Sequence, residues 1–212
     1  MKYLIIVLIA YLLGSFCASI PLSKRVYGGD VREKGSGNAG ATNMARVYGM
    51  KAGLATFALD ALKTVAAMLA GLHLGGAVGE ALAGAACIFG HCFPVYFAFR
   101  GGKGVSVGAA LGLMTGFWTF AIIMAVFFAV SLSTHKVSLG SMCAAVSLPC
   151  AAVLTNAEKP MLFMCIFAAL LVVFMHRVNI KRLINGTEGD FHAKKELRNF
   201  KLQFVQNVEI IC

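Results

Sequence analysis

The sequence has few charged residues for its length. Only 13% of its 212 residues are charged, against roughly 25% in an average soluble domain. Hydrophobic residues make up 59%, and the mean hydropathy is +0.79. A soluble protein of this size could not bury so much apolar surface, so the composition predicts a membrane protein. Because no long polar linker divides the chain, we expect one domain over residues 1–195, followed by a tail, 196–212, of unassigned role.

The sequence also lacks the local patterns of several functional classes. None of its seven cysteines pairs at CxxC spacing, so buried thiols are expected rather than disulfides or a zinc site. The glycine-rich segments lack the spacing of a nucleotide P-loop. The three aspartates, Asp30, Asp60 and Asp190, do not form the multi-Asp motif of a CDP-alcohol phosphotransferase. None of the five histidines has Asp five residues later, as acyl-CoA-dependent glycerolipid acyltransferases require, and no His-Asp dyad is evident.

Apolar runs long enough to suggest helices lie at residues 3–22, 52–74, 77–97, 105–133, 137–155 and 160–175. The first run is long enough to cross a bilayer, so we interpret it as a retained span and not as a signal peptide. The fourth is long for one helix and is interrupted at Gly112, Thr115 and Gly116. If it crosses twice, turning near Gly116, all basic loops share one face, as the positive-inside rule prefers. We therefore predict an all-α bundle of seven transmembrane helices, with a periplasmic N-terminus and a cytoplasmic C-terminus.

Two ionisable residues, Asp60 and Lys63, lie within the second run, three residues apart and so on one helix face. A charged pair at membrane depth is costly unless it is neutralised. Two interpretations stay open: a structural ion pair, or a lysine near a cytoplasmic cavity.

The first predicted cytoplasmic loop combines glycines, hydroxyls, amides and a guanidinium over residues 35–46. Tight glycine turns expose successive N–H groups that bind anions. Arg46 adds a bidentate fork for phosphate. A flexible linker needs neither the arginine nor the asparagines, so the loop is predicted to bind a phosphate.

Two further polar segments follow apolar runs. Residues 90–104 contain His91 near the end of the third run and then Arg100-Gly-Gly-Lys103-Gly104. Residues 176–188 contain His176, Asn179 and the turn Asn-Gly-Thr-Glu188. A structural histidine and a positive-inside anchor explain part of each segment. They leave His176, Asn179 and the turn unexplained, so a second anionic group is expected here.

Together these three segments resemble the three motifs of the bacterial acyl-phosphate:glycerol-3-phosphate acyltransferase family. The similarity runs from about Tyr11 to Glu188, and Asp60 and Lys63 resemble a family Asp-x-x-Lys-Gly element in which Thr64 replaces glycine. Two further departures are Ser106-Val107 after Gly-Lys-Gly, where Ala-Thr is usual, and Val178, where Glu is frequent. The resemblance implies the seven-span fold, an acyl-phosphate donor and an active site that faces the cytoplasm.

The resemblance suggests roles for individual residues. The catalytic residues expected are His91, Lys103, Arg46 and Asn179. The first loop is expected to bind the phosphate of glycerol 3-phosphate, and the other two segments to bind the acyl-phosphate head and orient the groups. The binding residues are Ser36, Gly37, Asn38, Gly40, Thr42, Asn43, Gly102, Gly104, His176 and Glu188.

The expected reaction gives 1-acylglycerol 3-phosphate and phosphate by direct attack, with the acyl tail between helices open to lipid. Either His91 or the donor's own phosphate takes the hydroxyl proton. No metal or cofactor is expected, and the partners are the two substrates and membrane lipids, without nucleic acid. Association with other enzymes of phospholipid synthesis is compatible with this assignment. A transporter of a phosphorylated metabolite is the main alternative, although the absence of an internal repeat disfavours it. A structural membrane protein would leave residues 35–46 unexplained.

Overall fold

A computed structural model of the protein describes residues 1–190. Every regular element in that part is a helix, which confirms the predicted all-α class. The predicted tail, 196–212, and the last residues of the predicted domain lie outside the described residues. The α-helices are α1 (Lys2–Ser15), α2 (Ser19–Tyr27), α3 (Ala41–Tyr48), α4 (Met50–Cys92), α5 (Val105–Thr115), α6 (Phe117–Thr134), α7 (Val137–Leu154), α8 (Lys159–Met175) and α9 (Arg177–Ile184), with short 3₁₀ helices at Val31–Glu33 and Val95–Phe97.

The first apolar run is one membrane-length stretch, Lys2–Tyr27, but it contains a break that the sequence did not reveal. Helix α1 ends at Ser15, and Phe16 has extended backbone angles (φ −74°, ψ 92°). Lys63 Nζ donates to the Phe16 carbonyl oxygen at 2.7 Å. Carbonyls at a helix end lack intrahelical partners, and a cation is favourable there. The break therefore has a specific partner for its free carbonyl.

Helix α4 changes direction at Gly76, whose backbone angles are non-helical (φ 63°, ψ −159°). A side chain rarely tolerates this positive φ, and glycine does. The two arms then run antiparallel: a Cβ on Gly71 would overlap the carbonyl of Gly79, and Cys87 Sγ lies 3.7 Å from Thr64 Oγ1. The gap predicted between the second and third apolar runs is thus a hairpin turn.

The fourth apolar run divides at Gly116, as predicted, into α5 and α6. Helix α5 has 11 residues and so spans about 16 Å, roughly half of the apolar thickness of a bilayer. In the described part, four helical stretches are long and apolar enough to cross a membrane, or five if α8 and α9, bent by 56°, form one span. A multi-pass membrane protein is supported, while seven crossings and their direction stay predictions.

The largest apolar core lies between the second arm of α4 and helices α5 to α8. Its buried side chains include Ile88, Leu111, Ile123, Leu148 and Met164. Helix α1 packs separately along α4, where a Cβ on Gly14 would overlap the Cys87 carbonyl. Many large apolar side chains point outward instead, as expected for a surface that faces lipid; examples are Leu132, Phe163 and Leu170.

Candidate active site

The fold brings the three predicted segments to one end of the bundle. Ser19 Oγ, at the start of α2, donates to the Ala39 carbonyl of the first loop at 2.9 Å. Val95 N, in the second segment, donates to Ser15 Oγ at the end of α1 at 3.4 Å. Lys103, in the second segment, donates to Asn179 of the third. The broken first helix thus contacts two of the three segments.

Asn43 organises the first loop from within. Its side chain is 2% exposed. Its Oδ1 accepts from the Ser36 backbone N–H at 2.9 Å, and its Nδ2 lies 3.0 to 3.1 Å from the carbonyls of Val31, Lys34 and Asn38. These bonds occupy both ends of the amide. The residue expected to bind phosphate is therefore placed to hold the loop in shape.

The other polar side chains of this loop are available to a ligand. Within residues 1–190, the side chains of Ser36, Thr42 and Arg46 make no hydrogen bond or ion pair. Gly40 precedes the first residue of α3, so the free N–H groups of that helix start face the same loop. A helix start with adjacent hydroxyl and guanidinium groups suits a phosphate. Ser36 and Gly37 are exposed, and Asn38, Gly40, Thr42 and Arg46 are half-buried.

Arg32, which the sequence did not single out, connects the chain just before the first loop to the second segment. Arg32 forms a forked ion pair with Asp30, with Nη2 2.7 Å from Oδ2, and donates from Nη1 to the Phe97 carbonyl at 3.0 Å. Lys24 lies 3.3 Å from the same carboxylate. The hydrogen bonds from Arg32 hold the pKa of Asp30 well below its usual range, although burial opposes this shift. We name Asp30 and Arg32 the brace.

His91 is enclosed beneath the glycines of the second segment. Its side chain is 1% exposed, and Gly102 N donates to its carbonyl at 3.1 Å. A Cβ on Gly102 would overlap the imidazole, and a Cβ on Gly101 would overlap the His91 carbonyl. Both glycines are therefore needed for the loop to pass over the histidine. Gly104 follows with φ +81° and directly precedes the first residue of α5.

Lys103, Asn179 and Glu188 form a chain of hydrogen bonds between the second and third segments. Lys103 Nζ donates to Asn179 Oδ1 at 2.5 Å, and Asn179 Nδ2 donates to Glu188 Oε1 at 2.6 Å. Ser138 and Arg182 also donate to the Glu188 carboxylate, each at 2.6 Å. We call Lys103, Asn179 and Glu188 the relay. It fixes a half-buried ammonium at the end of the bundle.

The charges of the relay are set by burial and by neighbouring cations. Burial and, to a smaller extent, the positive charges of Arg182 and Arg46 together lower the pKa of Lys103 to about 8, against the opposing effect of Glu188. Burial raises the pKa of Glu188, but hydrogen bonds from Ser138, Asn179 and Arg182 outweigh it and leave the pKa below its usual value. The net excess of positive charge favours an anionic ligand.

His176 lies at the junction of α8 and α9 and is 2% exposed. Its Nδ1 is 2.8 Å from the Val172 carbonyl, so Nδ1 carries the proton and Nε2 is left as an acceptor in the neutral ring. All three residues expected from the third segment, His176, Asn179 and Glu188, are thus buried or half-buried side chains with defined partners.

Asp60 and Lys63 meet His91 in a buried cluster, although no local spacing revealed a His-Asp pair. Lys63 Nζ lies 2.7 Å from Asp60 Oδ1 and 3.1 Å from His91 Nδ1, and His91 Nδ1 lies 3.6 Å from Asp60 Oδ1. The pairing arises because the hairpin at Gly76 brings the two arms of α4 together. Sequence reasoning missed it, since the partners are 28 and 31 residues apart.

An apolar cavity begins next to the relay. It is lined by Gly104, which directly follows Lys103, and its volume, including space open to the solvent, is about 540 Å³. Residues of five helices, α4 to α8, line the rest of it, including Ile123, Leu148 and Ala168. A Cβ on Gly108 would meet nothing within 4 Å, so this glycine borders open space. The shape suits an apolar chain attached to an anionic head. In the part of the chain described, no group of His, Cys, Asp or Glu is arranged to hold a metal ion.

Comparison with known proteins points to one family. The family profile described as glycerol-3-phosphate acyltransferase matches residues 4–186. The chain is 39% identical to a glycerol-3-phosphate acyltransferase of Syntrophotalea carbinolica, with 91% of this chain and 99% of the relative covered. It is 41% identical to one of Thermoanaerobacter pseudethanolicus, covering 90% and 96%.

Two solved structures are similar throughout the fold. The glycerol 3-phosphate form of PlsY (YgiH), an integral membrane glycerol 3-phosphate acyltransferase, matches with a TM-score of 0.87 at 34% identity, covering 93% of this chain and 99% of that one. The lysophosphatidic acid form of PlsY matches with a TM-score of 0.83 at 33% identity, covering 91% and 97%.

Proposed function

This chain belongs to the glycerol-3-phosphate acyltransferase family and is an acyltransferase of phospholipid synthesis, and from that premise we propose that it transfers a fatty acyl group from an acyl phosphate to the 1-hydroxyl of glycerol 3-phosphate. The products are 1-acylglycerol 3-phosphate and inorganic phosphate. The observation that carries the proposal is that Arg46 of the first loop and Lys103 of the relay lie within electrostatic reach of each other, and that Gly104, directly after Lys103, lines an apolar cavity. Family membership favours this enzyme over the transporter that the composition left open.

The membrane topology we propose has seven crossings. The two antiparallel arms of α4 count as two, and α5, although short, counts as one because α6 runs back from Gly116. The basic loops then share one face, which the positive-inside rule assigns to the cytoplasm. The N-terminus lies in the periplasm, the C-terminus lies in the cytoplasm, and the protein resides in the inner membrane with its active site facing the cytoplasm.

The donor head binds at the relay. Lys103 supplies the cation, and Gly102 N–H, which donates to the His91 carbonyl, fixes the turn that precedes it. The acyl tail extends from Gly104 into the apolar cavity between α5, α6, α7 and α8. A tail in that position removes apolar surface from water, while its head stays at the polar end. Asn179 and Glu188 hold Lys103 in place, and His176 Nε2 is available to accept from the acceptor substrate.

The acceptor phosphate binds at the first loop. Ser36, Thr42 and Arg46 donate from side chains, and the backbone at Gly37, Asn38 and Gly40 forms the turn around it. The charge of Arg46 lowers the pKa of Lys103, so the two cations are within electrostatic reach of each other. Two phosphates bound side by side repel, and these cations offset that repulsion in a shielded site.

The chemistry needs no covalent enzyme intermediate. The C1 hydroxyl oxygen forms a bond to the acyl carbon, the bond from that carbon to the phosphate oxygen breaks, and phosphate leaves with the electron pair. The hydroxyl proton passes to the leaving phosphate. Because an acyl phosphate has a good leaving group, the main task of the protein is to align two reactants and neutralise charge.

The decisive experiment offers the purified protein acyl phosphate and acyl-CoA separately, each with glycerol 3-phosphate. We expect lysophosphatidate from acyl phosphate alone, and the same rate after thorough chelation. Formation of lysophosphatidate from acyl-CoA and not from acyl phosphate would refute acyl phosphate as the donor.

Arg46→Ala should lower activity at least about tenfold in folded protein, because the phosphate of glycerol 3-phosphate loses a charged partner. Arg25→Ala, an exposed arginine of α2, is the matched control and should retain activity.

A further inference from the structure

The buried cluster of Asp60, Lys63 and His91 has a geometry that determines where its protons lie. Asp60 is fully buried, His91 is 1% exposed, and the Lys63 side chain is 8% exposed. Lys63 Nζ has three neighbours at hydrogen-bond distance: the Phe16 carbonyl at 2.7 Å, Asp60 Oδ1 at 2.7 Å and His91 Nδ1 at 3.1 Å. Three acceptors match the three N–H groups of an ammonium.

An ammonium has no lone pair, so His91 Nδ1 must accept the third N–H. The alternative places the proton on the imidazole and leaves Lys63 as a neutral amine. Asp60 Oδ1 lies 0.9 Å closer to Lys63 than to His91, at 2.7 Å against 3.6 Å, so the carboxylate stabilises charge on the lysine more than on the ring. The Phe16 carbonyl, 2.7 Å from Lys63 Nζ, adds a second oxygen acceptor for the ammonium. The proton therefore belongs to Lys63.

A neutral imidazole that accepts at Nδ1 carries its proton on Nε2. Within residues 1–190, Nε2 makes no hydrogen bond, and it faces the position that a side chain on Gly102 would fill. Since Nε2 already carries a proton and Nδ1 is occupied by Lys63, neither nitrogen is free to take one from a substrate. We propose that Lys63 is a positioning residue that holds His91 as the neutral Nε2–H tautomer beneath the Gly101–Gly102 turn, where it supports Lys103 and is not the base that deprotonates glycerol 3-phosphate.

A spectroscopic test needs no enzyme activity. In protein with ¹⁵N-labelled histidine, protonated and unprotonated ring nitrogens give separate signals, and His91 is assigned by the signals lost in His91→Gln. We expect a protonated Nε2 and an unprotonated Nδ1 near neutral pH. The Lys63→Met change should abolish this pattern, and Lys63→Arg should keep it. If Lys63→Met does not fold, the double variant Asp60→Asn with Lys63→Met removes the unpaired carboxylate and tests the same point. An unprotonated Nε2, or both nitrogens protonated, in the unchanged protein would overturn the proposal.

A kinetic test separates support of the loop from proton transfer, and it rests on the acyl transfer proposed above. Removing a general base costs about 10²- to 10⁴-fold in kcat. Glutamine offers an N–H but cannot act as a base, so His91→Gln should keep kcat within about tenfold and raise KM for acyl phosphate, while His91→Phe raises KM further. A larger loss of kcat in folded His91→Gln would show that His91 is the base. If the protein used another donor, the kinetic test would be repeated with that donor, and the NMR result would stand.

Discussion

Two buried asparagines, Asn43 and Asn179, lie at the same end of the bundle but bond in different ways. Asn43 bonds to backbone groups between residues 31 and 38 and so completes a loop formed by neighbouring sequence. Asn179 bonds to the Lys103 and Glu188 side chains, which are 76 and 9 residues away. One asparagine shapes a loop, and the other joins distant elements into a relay.

This difference teaches how the two halves of the site respond to change. The first loop has its own hydrogen bonds and depends on distant elements mainly through the brace of Asp30 and Arg32. The relay depends on side chains from α7 and α9 and the segments next to α5 and α9, so an error in helix packing reaches it directly. We therefore expect changes in the relay to be more severe than changes in the first loop.

The largest effect is expected for Lys103→Met. The change removes a half-buried cation that Asn179 holds and that offsets the negative charge of the donor, so kcat/KM for acyl phosphate should fall about 100-fold. Lys181→Met, which alters an exposed lysine of α9, is the control and should stay near normal. Steady-state kinetics on folded protein measure both. A loss below about tenfold for Lys103→Met would contradict the expectation that changes in the relay are more severe than changes in the first loop.

The relay should also give the site its pH dependence. Lys103 loses its charge as pH rises through its pKa of about 8, so kcat/KM for acyl phosphate should fall above pH 8 by up to about tenfold per pH unit. Lys103→Arg should move this fall to higher pH, because arginine stays charged. The first loop has no such group, so KM for glycerol 3-phosphate should change less over the same range.

Unfolding would not explain that loss. The pKa of Lys103 is lower in the folded protein than its ordinary value of 10.5, so between about 8 and 10.5 the unfolded chain binds the proton more strongly. The contribution of Lys103 to stability therefore rises with pH in this window. Thermal unfolding measured at the same pH values checks this point. A melting temperature that falls together with kcat/KM would show that unfolding, and not loss of charge on Lys103, lowers the activity.

A smaller effect is expected for Asn43→Ala. The loss leaves backbone groups of the first loop without partners and should lower stability by about 1–3 kcal/mol. KM for glycerol 3-phosphate should rise about five- to tenfold while kcat for bound substrates changes little. Asn185→Ala, in an exposed turn, is the control. If kcat fell as much as in Lys103→Met, the first loop could not be the independent unit described above.

The smallest effect is expected at the brace. Lysine in Arg32→Lys cannot form the fork with Asp30 and reach the Phe97 carbonyl together. We expect a two- to threefold fall in kcat/KM, equal to about 0.5 kcal/mol, shared between both substrates because both loops shift. Arg25→Lys is the control. An effect on one substrate alone would show that the brace belongs to one half of the site.

Much of the fold followed from the order of apolar and polar residues. The all-α class, the division at Gly116 and the gap near Gly76 were predicted, since hydropathy and glycine act on the local chain. The break at Phe16 was not predicted, because the partner of its free carbonyl, Lys63, lies 47 residues away in the sequence. The brace was missed for the same reason: Arg32 looks like any basic loop residue until Phe97 is beside it.

The sequence by itself determined a membrane protein with three polar segments suited to phosphate, because composition and glycine-rich patterns need no tertiary context. Only the tertiary structure decided which polar groups are free. Asn43 is used by its own loop, Lys103 is held by Asn179, and His91 lies against Lys63. Hydrogen-bond partners depend on distances between segments far apart in the chain, and packing of helices sets those distances.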